Sequence, residues 1–134
     1  MRKDQVKHYY LDENYNCAES LIRALNEDYH LDLEAEDMKL VGGFGGGMGC
    51  GLTCGALAAA IAALGKLYIK DKAHGTPGFR ELCGSFVDQF RKKLGDVDCA
   101  ELKKANFVPG THCLKTVELA GDLLEEFVEA HPKA

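Results

Sequence analysis

Apolar residues recur along this chain at intervals of three and four, the spacing of one helical face. Runs of alternating β-branched residues bounded by turns, which would mark strands, are nearly absent. A short first helix is expected over residues 3–11, with Val6, Tyr9 and Tyr10 as its apolar face. A second is expected from Cys17 to about Tyr29, with Leu21, Ala24 and Leu25 inward. A third covers about Ala35 to Val41 and stops at Gly42-Gly43. The run "GGFGGGMGCGLTCG" then precedes an alanine-rich fourth helix, Cys54 to about Ile69. A fifth starts at Pro77 or shortly after and carries Phe79, Leu82, Cys83, Phe86, Phe90 and Leu94 close to one face. Gly95 ends it. A short sixth runs from Cys99 to about Ala105. The last begins near His112, with Cys113, Val117, Ala120, Leu124 and Val128 on a stripe. The expected fold class is all-α: a compact up-and-down bundle of six to seven helices, with the glycine-rich loop before the fourth. Residues 1–134 are expected to form a single domain.

One short word is written twice. "NCAE" stands at residues 16–19 and "DCAE" at residues 98–101. Asn16 and Asp98 are good N-cap residues, and Glu19 and Glu101 stand three positions later. Each tetrapeptide therefore resembles a capping box with cysteine at the first helical position. Capping explains the ends of the word but not the cysteine in both. Thr53 and Thr111 can cap the fourth and last helices, which puts Cys54 and Cys113 in first turns as well. A first turn has free N–H groups and the positive end of the helix dipole, both of which favour a thiolate. Glu19, Glu101 and repulsion among four gathered thiolates oppose that effect.

Short connections between helices give up-and-down neighbours. If the second helix starts at one end of the bundle, the fourth and sixth start there too. The sixth spans only about 10 Å, so "NFVPG" can return the chain and let the last helix start at the same end. By this parity Cys17, Cys54, Cys99 and Cys113 gather at one end.

Composition narrows the picture. The chain is 46% hydrophobic and 28% charged, as in an ordinary globular protein. Its net charge of −5 argues against a nucleic-acid partner, which needs a basic face. The longest apolar stretch, "CGALAAAIAALG", has 12 residues, against about 20 for a membrane span. "MRKDQVKHYY" has no apolar core of the kind a signal peptide carries. The expectation is a cytoplasmic protein with no membrane partner. In that compartment six cysteines point to catalysis or metal binding rather than structural disulfides.

The glycine run matches neither G-x-x-x-x-G-K-[ST] nor G-x-G-x-x-G. Its glycines can instead point several N–H groups into one concavity. Gly47, Gly49 and Gly51 are the candidates for donating to thiolates or sulfides, with a tight helix connection as the alternative. Cys83, among aromatic residues, reads as a core residue. Cys50 reads as a resolving thiol, an extra ligand or a small loop residue. His112 reads as a base, a ligand or a solvent-exposed helix-start residue. His8, His30, His74 and His131 have no metal-site spacing. C-x-x-C and C-x-x-C-H are absent, so any site is assembled by the fold.

"YNCAES", "GGFGGGMGCGLTCGALAAAIAALG", "FRKKLGDVDCAEL" and "HCLKTVELAGDLLEEF" resemble the redox-active protein family named for its pattern C…GCAxxG…C…C. The resemblance runs from about Tyr9 to Phe127. It implies a small cytosolic protein with an inferred redox role, of a kind encoded near oxidoreductase or transporter genes in anaerobes. A similar module is associated with the iron–sulfur part of split-Soret cytochromes c. The matched positions are Cys17, Cys54, Cys99 and Cys113. Where the pattern has a glycine after Cys54-Gly55-Ala56, this chain has Ala59, whose methyl opposes a very close helix contact. Three functions remain open. One is an iron–sulfur cluster held by the four cysteines for electron transfer with a protein redox partner. The second is a cofactor-free thiol–disulfide protein. The third is a zinc-binding or scaffold module. Enzymatic activity is left open, and a homodimer is compatible with a small bundle of this kind.

Overall fold

The computed structural model describes residues 3–133 and is all-α, with seven helices among the described residues. Helix α1, Lys3–Lys7, passes into a wider turn at His8–Asp12. Helix α2 is Cys17–Tyr29. Helix α3, Ala35–Met38, continues as a tighter 3₁₀ turn over Lys39–Phe44. Helices α4, α5, α6 and α7 are Gly55–Tyr68, Phe79–Leu94, Cys99–Asn106 and Leu114–Ala130. Extended pairing among the described residues is limited to two isolated bridges, Thr53 with Asp98 and Val108 with His112.

Helix α4 lies at the centre because its side chains are small. Ala56, Ala59, Ala60 and Ala63 are fully buried, and α4 makes its broadest contact with α2. Alanine combines high helix propensity with a slim surface, so Leu21 and Leu25 of α2 can be buried beside it. Helix α7 packs on α2, α4 and α5. Its Phe127 meets Phe86 of α5 edge-to-face, with ring centroids 5.2 Å apart. Phe86, Phe90, Phe127, Leu64, Leu124 and Val117 complete the core.

The helix ends follow from local chemistry. His30 closes α2 at φ 52°, its N–H donating to the Asn26 carbonyl. Gly95 closes α5 at φ 95°, bonding the Arg91 carbonyl. Two boundaries differ from expectation. The third helix does not stop at Gly42-Gly43. It tightens after Met38 and carries those glycines on to Phe44. Helices α4 and α7 begin at Gly55 and Leu114, later than caps at Thr53 and Thr111 would place them. Thr53 is drawn instead into the bridge with Asp98, and Thr111 into the turn closed by Val108 and His112.

Candidate functional site

Each cysteine of the four-residue pattern stands at the start of a helix. Cys17 and Cys99 are the first residues of α2 and α6. Cys54 and Cys113 are the N-cap residues of α4 and α7, rather than first-turn residues. The two repeated words turn out unequal. Asn16 forms a full capping box: its side chain accepts from the Glu19 N–H at 2.9 Å, and Glu19 Oε1 accepts from the Asn16 N–H at 3.1 Å. Asn16 Nδ2 also donates to the Gly42 carbonyl at 2.9 Å, tying the start of α2 to the glycine-rich segment. Asp98 makes no side-chain cap bond. Glu101 pairs with Lys104 at 3.1 Å instead. Asp96 orders the segment before the helix, its Oδ1 accepting from the N–H groups of Val97 at 2.7 Å and Asp98 at 3.0 Å.

Backbone bonds then bring the helix starts together. The Cys54 N–H donates to the Val97 carbonyl at 2.8 Å, and the Cys99 N–H donates to the Leu52 carbonyl at 2.6 Å. The Cys113 N–H donates to the Tyr10 hydroxyl at 3.1 Å. Two glycines make room. A Cβ on Gly55 would lie 2.6 Å from Cys17 Sγ and 2.7 Å from the Phe44 carbonyl oxygen. A Cβ on Gly47, at φ +64°, would lie 2.6 Å from Cys99 Cβ.

The result is one cavity of about 260 Å³ lined by Cys17, Cys54, Cys99 and Cys113. Its wall is completed by Tyr10, Asn16, Leu102, Lys103, Phe107 and Thr116, among others. Among the described residues, no three His, Cys, Asp or Glu side chains are grouped as a site for one metal ion. The four cysteines share that cavity wall. All four are free thiols.

Burial, not the helix dipole, governs the thiols of Cys17, Cys54 and Cys113. It pushes Cys54 up to about 11, against the pull of the Leu57 and Ala56 N–H groups. Burial also raises Cys17, and there too the opposing groups are backbone N–H donors, of Gly46 and Ala18. Cys113 is raised by burial and by the Cys99 charge, while Lys103 lowers it. The expectation of thiolates stabilised by helix starts is thus corrected at Cys17, Cys54 and Cys113. The helix-start N–H groups act in the expected direction, but desolvation of a charged sulfur costs more.

The glycine that lines the cavity is Gly46. Gly47 is buried against Cys99, while Gly51 approaches Ala100 and Gly49 faces open space. Cys50 is exposed, with its thiol near the Gly47 carbonyl at 3.7 Å, and Cys83 packs at the edge of the core on α5. Neither lines the cavity. His112 does line it, with its ring against Phe107. Gly46, Lys103 and Thr116 are wall residues that the sequence does not single out, and Tyr10, expected only on the apolar face of the first helix, is a fourth. Thr116 left one legible trace, a polar residue three positions after Cys113 on an otherwise apolar stripe.

No described helix is long and apolar enough to cross a membrane. Nothing among curated proteins or solved structures matches the chain. A family model described as "Putative redox-active protein (C_GCAxxG_C_C)" matches residues 15–127, a span that contains all four cysteines of the cavity. That match covers most of the chain, and the chain belongs to this redox-active, four-cysteine family.

Proposed function

We propose that Cys17, Cys54, Cys99 and Cys113 together hold an iron–sulfur cluster, and that the protein passes single electrons to a protein partner. The observation that carries this reading is the convergence of four helix-start cysteines on one cavity of about 260 Å³. The donor set fits, since such clusters are held by four cysteine thiolates. When bound, a cluster supplies reversible one-electron chemistry at a potential set by its surroundings.

The chain's own residues have defined tasks in this reading. The clasp between the starts of α4 and α6 fixes Cys54 beside Cys99. The Gly46 and Ala18 N–H groups favour the charged form of Cys17. Leu102 and Val117 exclude water from the inner wall, while Phe107 is exposed at 44% and gives a partner close access. Burial raises the cost of bare thiolates, and iron removes that cost by neutralising them.

A thiol–disulfide role draws on the same sulfurs, with Cys17 Sγ lying against Gly55, next to Cys54. There two thiols would form one S–S bond by exchange with a partner's disulfide, which takes up the two electrons and two protons and is released as two thiols. Anaerobic reconstitution with ferrous iron and sulfide separates the two. The cluster reading expects colour and bound iron and acid-labile sulfide in equal amounts, lost on changing any of the four cysteines to Ser and retained in Cys83→Ala. Absence of iron uptake, with reversible loss of two titratable thiols, would overturn it.

A further inference from the structure

The cavity wall carries one side chain whose chemistry is unanswered. Thr116 is 97% buried, lines the cavity, and its Oγ1 has no hydrogen-bond partner. The other polar side chains of the wall are served. Asn16 is committed to Glu19 and Gly42. Tyr10 accepts from the Cys113 N–H. Lys103 and His112 are exposed to water. A buried hydroxyl without a partner is unfavourable, and native proteins rarely leave one.

Helix α7 explains where the hydroxyl sits. Thr116 follows Cys113 by three residues, so the two share a helical face. Thr116 lines the same cavity as the four cysteines, beside the apolar Val117 and Leu102. Sulfur is the acceptor type that all four cysteines bring to this cavity.

We propose that the Thr116 hydroxyl donates a hydrogen bond to a sulfur of the group held by Cys17, Cys54, Cys99 and Cys113. This rests on the cluster reading above and deepens it. Hydrogen bonds to the sulfurs are one of the levers on a cluster's potential. Such a bond strengthens as electron density on sulfur rises, so it favours the reduced form. Thr116 is therefore a positioning and tuning residue, filling its own hydrogen-bonding need when the cavity is filled.

Thr116→Val and Thr116→Ser, reconstituted anaerobically beside the wild type, test this with two readouts. The first is the midpoint potential of the loaded protein, followed by its visible absorption. It should move to more negative values in Thr116→Val and stay near wild type in Thr116→Ser. The second is thermal unfolding of the apo protein. Thr116→Val should unfold at a higher temperature than wild type, because it removes a partnerless hydroxyl, and that gain should shrink in the loaded protein. If Thr116→Val does not load, failure of Thr116→Ala with normal loading of Thr116→Ser also supports the hydroxyl's role. A wild type that loads normally, with an unchanged potential in Thr116→Val, overturns this inference alone. A wild type that binds no iron and sulfide overturns the cluster reading, and this one with it.

Discussion

The N–H of Cys54 donates to the carbonyl of Val97 at 2.8 Å, across 43 positions of chain. Its companion bond runs from the Cys99 N–H to the Leu52 carbonyl at 2.6 Å. These two bonds, which make up the Thr53–Asp98 bridge, clasp the starts of α4 and α6. Two cysteines are thereby positioned by backbone rather than by their own flexible side chains.

Asp96 supports that clasp by holding the N–H groups of Val97 and Asp98. Its carboxyl is lowered below the usual range by those same bonds. Asp96→Ala should loosen the strand of backbone that carries the Val97 carbonyl. Hydrogen exchange is expected to speed up at the Cys54 and Cys99 amides and stay unchanged in the middle of α7. Unaltered exchange at both cysteines would mean that the clasp stands without Asp96.

The two repeated tetrapeptides should respond differently to loss of their caps. Asn16→Ala removes a complete capping box and the bond to Gly42, and is expected to cost about 1–2 kcal/mol. Asp98→Ala removes a side chain that caps nothing, so stability should stay within about 0.5 kcal/mol of wild type. Denaturant midpoints measure both. Equal losses would show that the words are equivalent after all.

That asymmetry marks where the sequence was legible and where it was not. The apolar periodicity of α2, α5 and α7 located those helices, because packing on one face writes a regular pattern. Helix parity brought Cys17, Cys54, Cys99 and Cys113 to one end, and the shared cavity agrees. That Asp98 would leave α6 without a side-chain cap was hidden, since Asp at a helix entrance is by type a good N-cap. The starts of α4 and α7 were misplaced because the long-range Thr53–Asp98 bridge and the tight turn between Val108 and His112 outweigh the capping preference of Thr53 and Thr111. The direction of the thiol shifts was also hidden. A helix start is visible in sequence, but burial depends on the whole fold. Tyr10 reaches Cys113 from 103 positions away, a contact with no local signature.

The raised thiols give a signed dependence on pH. Cys54 moves from an ordinary 9.0 up to about 11 in the folded apo protein. The folded state then holds its proton where the unfolded state releases it. Stability from this group is complete below pH 9 and falls as pH rises from 9 to 11. At 1.36 kcal/mol per unit the loss is about 2–3 kcal/mol. Alkylation of Cys54 in the reduced apo protein should be slow at neutral pH and accelerate only above pH 9. Rapid alkylation at pH 7, or stability that rises between pH 9 and 11, would contradict burial as the governing effect.

A pair of glycines in α4 separates site geometry from helix propensity. In an unconstrained helix, Gly→Ala gains up to about 1 kcal/mol. Gly65 offers such a place: an added Cβ would meet only Ile69 Cδ1, at an ordinary 3.6 Å. Gly65→Ala is therefore expected to raise the denaturant midpoint. At Gly55 the same methyl would stand 2.6 Å from Cys17 Sγ and 2.7 Å from the Phe44 carbonyl oxygen. Backbone on one side and a site sulfur on the other leave little room to yield. Overpacking of this kind costs about 1–3 kcal/mol, which exceeds the propensity gain, so Gly55→Ala should lower the midpoint. It should also displace Cys17 from its place beside Cys54 and abolish iron and sulfide uptake, while Gly65→Ala loads as wild type does. If Gly55→Ala is as stable as Gly65→Ala and takes up the same iron, Cys17 is free to move, and the cavity does not depend on its close approach to α4.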